Sequence, residues 1–133
     1  MNKKEIDLII QRIERWYVRL ADLLIYDQRK FKAKFGWSKE PTRFDDRLSL
    51  EYKPITEGEP WGKKWESAWF HLQGEVPKDW AGKTIVANLD FSGEGLVHDG
   101  DGKVLQGITN ASIWDPNFAR TRVPLFDSSN GSE

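Results

Sequence analysis

From Trp37 onward the chain cannot remain helical. Pro41, Pro54 and Pro60, together with repeated Gly, break any helical period. Apolar and polar residues alternate instead. In residues 66–73, Ala68, Phe70 and Leu72 share one face, while Ser67, Trp69, His71 and Gln73 share the other. In residues 84–91, Ile85, Ala87, Leu89 and Phe91 oppose Thr84, Val86, Asn88 and Asp90. A two-residue period is that of half-buried strands. Leu48, Leu50 and Tyr52 read as a first strand upstream. Residues 95–98 and 103–109 flank Asp99-Gly100-Asp101-Gly102, whose Asp and Gly tolerate positive φ. This predicts a hairpin with a tight turn. Short strands with Gly and Pro punctuation predict a mainly β fold, a β-sandwich or jelly roll. The shared phase sends Ala68, Phe70, Leu72, Ile85, Ala87, Leu89, Phe91, Val97 and Leu105 inward.

A different period precedes this. Ile6, Ile9, Ile10, Ile13, Trp16, Tyr17, Leu20, Leu23 and Leu24 recur every three or four residues, which predicts an amphipathic helix. Asn2 is its N-cap. Arg29, Lys30, Lys32 and Lys34 follow, with Phe31 and Phe35 one helical turn apart. They extend the helical segment over residues 1–36, with Gly36 as its stop and the basic residues at the negative end of the helix dipole. The β-sandwich then occupies residues 37–126. The polar, Ser/Gly-rich residues 127–133 form a tail expected to be disordered. The apolar stripe of the helix needs a covering surface, supplied by its own domain, by another domain or by a second copy in a homodimer.

The chain has 133 residues, the size of one domain. Lys plus Arg number 20 and Asp plus Glu 21, a net charge of −1 that argues against a nucleic-acid platform. The absence of Cys excludes disulfides, thiolate nucleophiles and Cys-based zinc sites. No apolar run approaches a signal segment or a membrane span, so the chain is expected to be cytoplasmic, with no membrane partner. Seven Trp and seven Phe supply either a core, an interface or a sugar-stacking platform.

Residues 61–125 carry a family resemblance. Trp61-Gly62-Lys63-Lys64-Trp65-Glu66-Ser67-Ala68-Trp69-Phe70 opens it. Val76-Pro77, Trp80-Ala81-Gly82-Lys83 and the stretch Leu89-Asp90-Phe91-Ser92-Gly93-Glu94-Gly95-Leu96-Val97 continue it. Asp101-Gly102-Lys103-Val104-Leu105-Gln106-Gly107-Ile108-Thr109-Asn110 completes it. In order and spacing these segments resemble the N-terminal β-domain that precedes the catalytic barrel in glycoside hydrolase family 38 α-mannosidases. The resemblance implies a sandwich of galactose-binding-like type, incomplete because the family's domain continues with further strands. It also implies a parent enzyme that hydrolyses terminal α-mannosides with retention. The carboxylate nucleophile and the divalent metal, usually zinc, lie in the parent's barrel. On this reading the fragment itself has no catalytic residue and no cofactor, and its partners are the parent's remaining domains.

Two other readings stand beside this one: an independent carbohydrate-binding module, and a helix-mediated interaction module. The candidate carbohydrate or interdomain contacts are Trp65, Trp69 and Trp114, with Glu94, Gln106 and Asn110 as polar companions. His71 and His98 lie on separate strands without the spacing of metal ligands. Glu94, Asp99 and Asp101 include two carboxylates in a hairpin turn, where they usually serve the turn. Asp99-Gly100-Asp101-Gly102 lacks the remaining ligands of an EF-hand.

Overall fold

The computed structural model describes residues 2–25, 27–110 and 118–133. The chain forms two compact units, Met1–Phe31 and Lys32–Glu133. The first holds helix α1, Lys3–Leu23. Asn2 caps it as expected: its Oδ1 accepts the Glu5 N–H at 3.0 Å, and Glu5 Oε2 accepts the Asn2 N–H at 2.8 Å. This reciprocal box satisfies backbone donors at the helix start. Ile13, Trp16, Tyr17 and Leu23 stay exposed, so nothing within this unit covers the apolar stripe. No described helix is long and apolar enough to cross a membrane.

The second unit is antiparallel β, with β1 Lys32–Ser38, β2 Tyr52–Ile55, β3 Ser67–Gln73, β4 Ile85–Asn88, β5 Glu94–His98, β6 Val104–Thr109 and β7 Arg122–Phe126. β1 is central in a three-stranded sheet ordered β2-β1-β3. Its full length pairs with β3, from Lys32 opposite Gln73 to Ser38 opposite Ser67. This overturns the reading of residues 32–36 as the end of the helix, and of Gly36 as its stop. The pair Phe31 and Phe35 matches a helical turn, but Ala33, Phe35 and Trp37 also alternate with Lys32, Lys34 and Gly36. Seven paired residues outweigh a local helical preference. Gly36 instead sits under Leu50: a Cβ there would come within 2.8 Å of Leu50 Cβ.

β5 pairs with β6, and β4 with β7. A bridge between Thr109 and Arg120 joins the two pairs, and Leu89 N–H donates to Thr121 O at 2.7 Å. The core gathers Ala87, Leu89, Ile108 and Val123, with Leu72, Phe91, Val97 and Leu125 packed against it. Ile85 is buried too. The predicted phase of residues 85–91 is therefore correct. Leu105 is a correction, at 39% exposed. A register shift between Val97 and His98 leaves Gln106 opposite Val97 and Val104 opposite His98, so Leu105 has no partner in the ladder and Ile108 takes the core place. The expected strand through Leu48 is a correction as well. A 3-10 turn occupies Arg47–Ser49, Leu48 is exposed, and the strand starts at Tyr52.

Residues 127–133, expected from their composition to be disordered, are instead tied down. Gly82 N–H donates to Ser129 O at 2.7 Å, Ser129 N–H to Lys83 O at 2.9 Å, and Val76 N–H to Glu133 O at 2.9 Å. The Glu133 carboxylate accepts the Asn130 N–H at 2.6 Å and the Ser129 hydroxyl at 2.7 Å. These bonds, the Asn130 N–H foremost, hold its pKa down from 4.5 to about 2. The folded value lies below the unfolded one. The hook's contribution is therefore complete above pH 4.5 and fades as pH falls toward about 2. The Asn130 amide resonance should accordingly titrate with a midpoint near 2 in an NMR pH series. A midpoint at 4.5 would show the hook to be open.

Candidate aromatic groove

Residues directly opposite in an antiparallel pair share a face. Phe35 is opposite both Lys53 and Phe70, and Trp37 is opposite Ala68. One face of the three-stranded sheet therefore carries Phe35, Trp37, Lys53 and Phe70. Phe91 packs its ring 4.2 Å from that of Phe70, Trp61 meets Phe70 edge-on at 5.5 Å, and Phe35 stacks at 6.1 Å. Beyond this cluster the face opens into a groove of about 370 Å³ lined by Phe35, Trp37, Glu51, Lys53 and Trp61.

Both indoles of the groove are held by their N–H groups. Trp37 Nε1 donates to Glu66 Oε2 at 2.9 Å, and Trp61 Nε1 donates to Phe91 O at 2.9 Å. Glu66 Oε2 also accepts the Lys63 N–H at 2.8 Å. The Lys63 amide chiefly, and then the Trp37 indole, hold the Glu66 carboxyl below its usual range. Lys53 Nζ lies 3.7 Å from Glu51 Oε1 in an exposed, weak pair on the rim.

On the opposite face, Trp69 meets Phe44 edge-on at 5.9 Å and His98 at 5.5 Å, and its Nε1 donates to Thr42 O at 2.9 Å. Phe44 sits 5.2 Å from His98 and under the Arg47 guanidinium at 3.5 Å. Trp69 is thus half-buried in packing.

Among the described residues, those singled out in the sequence stand in separate surroundings. Trp65 is 88% exposed at φ 70, in the turn before β3. A bulky residue in the left-handed region carries strain. Glu94 and Asn110 meet at one end of the β5–β6 hairpin, where Glu94 is opposite Thr109 and Asn110 N–H donates to Gly93 O. Gln106 Nε2 donates to Arg122 O at 2.9 Å, which braces β6 on β7. No described contact brings these three to Trp65 or Trp69. Trp114 lies outside the described residues. Asp99 Oδ1 accepts the N–H groups of Asp101 and Lys103, so this carboxylate closes the hairpin turn. His98 Nδ1 contacts Gly102 O at 3.2 Å, and His71 is exposed opposite Lys34. Among the described residues no three His, Asp or Glu side chains cluster as a metal site.

The groove escapes sequence reasoning because its residues come from three separate segments. The alternation of Phe35 with Trp37 is a usable signal, but the spacing of Phe31 and Phe35 fits a helical period equally well.

Residues 28–133 match the family model described as alpha-mannosidase, jelly roll domain. Alpha-mannosidase G of Dictyostelium discoideum is 30% identical over 141 residues, covering 98% of this chain and 12% of that protein. Alpha-mannosidase 2C1 of Homo sapiens is 29% identical over 66 residues, covering 50% of this chain and 6% of that protein. The alpha-mannosidase of Saccharomyces cerevisiae is 24% identical over 100 residues, covering 74% of this chain and 9% of that protein. The chain thus spans 12% or less of the length of these curated relatives. No solved structure matches it significantly. Since the matched stretch runs from ahead of β1 through β7, the chain belongs to the family of α-mannosidase jelly-roll domains.

Proposed function

We propose that the chain is a non-catalytic accessory domain of an α-mannosidase that hydrolyses terminal α-mannosides in glycans. The observation that carries this reading is the family match over residues 28–133, combined with relatives many times longer than the chain. The reaction would be a retaining hydrolysis, with the nucleophile and a divalent metal such as zinc held by a barrel outside these 133 residues. The metal would polarise the reacting sugar there. This chain's part is to present a rigid sandwich to the remaining domains, which are its partners. The engagement of Asp99 in its own turn supports the non-catalytic role. The coding sequence after codon 133 tests the reading: it should encode a barrel with clustered His and Asp. A stop codon directly after it would favour an independent module.

A further inference from the structure

The groove beside Trp37 has features that packing does not use. Trp37 is 47% exposed, yet its indole is fixed by the bond to Glu66. Trp61 is fixed by its bond to the Phe91 carbonyl. Two flat rings are thereby oriented before any ligand arrives, which cuts the ordering cost of binding. Among the described residues the lining contains aromatic carbon and two charged side chains, and no aliphatic side chain. An aliphatic anchor from a protein partner seeks a closed apolar pocket. An open aromatic face with polar groups at its rim suits a ligand with one flat C–H face and hydroxyls around its edge. Glu51 offers an acceptor and Lys53 a donor, and their mutual pair is weak enough to be exchanged for ligand contacts. The groove's volume of about 370 Å³ falls in the range of small-molecule sites.

We propose that this groove binds a pyranose ring of a neutral oligosaccharide, stacked on the Trp37 indole, with its hydroxyls meeting Glu51 and Lys53. The site is distinct from Trp65, Trp69 and Glu94. The geometry carries the sugar assignment, while the choice of mannose rests on the α-mannosidase reading.

Indole N–H resonances of the full 133-residue chain, isotope-labelled and titrated with an α-linked manno-oligosaccharide, test the proposal. The Trp37 and Trp61 signals should shift saturably, while Trp69 stays in place. Trp37→Ala should weaken binding roughly tenfold, the scale of one lost ring contact. Glu51→Ala, at an exposed position that leaves the fold intact, should weaken it about threefold through one lost hydrogen bond. It serves as the decisive variant if Trp37→Ala does not fold. Absence of saturable shifts with both a manno- and a gluco-oligosaccharide, shifts confined to Trp65, or full affinity in both variants would overturn the site. Broadening of the two indole signals with protein concentration alone would also overturn it, marking a contact between copies. Saturation by a gluco-oligosaccharide but not by the mannose one would uphold the groove while counting against the α-mannosidase reading.

Discussion

Phe70→Ala should destabilise the β unit by about 3 kcal/mol and lower its melting temperature by roughly 10 °C or more. Phe70 is the ring on which Phe91, Trp61 and Phe35 converge. Phe91 in turn packs on the buried cluster of Ala87, Leu89, Ile108 and Val123, so Phe70 links the three-stranded sheet to the core. Truncation removes three ring contacts at once and leaves a void between the sheets. The site is half-buried, so the cost falls at the low end for large aromatic truncations. Thermal denaturation followed by circular dichroism measures it. An unchanged melting temperature would mean that the Trp69 face is the one facing the core.

Gly102→Ala should cost about 3 kcal/mol, from two sources that add. Gly102 has φ +89, where a side chain is strained. Its added Cβ would also lie 2.7 Å from Phe44 Cε1 and Cζ. Phe44 has little room to retreat, since Trp69, His98 and Arg47 surround it. Gly58 supplies the control. It has φ +87 and nothing within 4 Å of an added methyl, so Gly58→Ala carries strain alone, about 1 kcal/mol. Equal losses in the two variants, read from urea unfolding, would show that Phe44 moves aside freely.

The sheet unit is legible in the sequence where a strand alternates strictly, as β4 does. Residues 85–89 display their buried face there, and the Asp-Gly turn marks the β5–β6 hairpin, whereas both faces of β3 are half-buried. β1 is hidden because Phe31 and Phe35 also satisfy a helical spacing. β7 is hidden because Pro124 interrupts a short run, although Val123 is fully buried beside it. The C-terminal hook has the composition of a disordered tail. Its order comes from backbone and carboxylate hydrogen bonds that composition does not encode. The groove depends on register: Phe35 meets Lys53 only because β2 pairs with β1 in that phase. Nothing in the spacing of Trp37, Glu51 and Trp61 along the chain displays that neighbourhood. The family resemblance is legible because it rests on motif order.

The central claim, that this domain belongs to an α-mannosidase but does not perform the chemistry, is tested most directly by turnover. The purified chain is incubated with an aryl α-mannoside, with and without added zinc, and release of the aryl group is followed. No hydrolysis above the buffer rate is expected in either condition, because the proposed function places the nucleophile outside these residues and Asp99 closes its own turn. Turnover that persists through repurification and disappears in Glu94→Gln or Asp99→Asn would contradict the account.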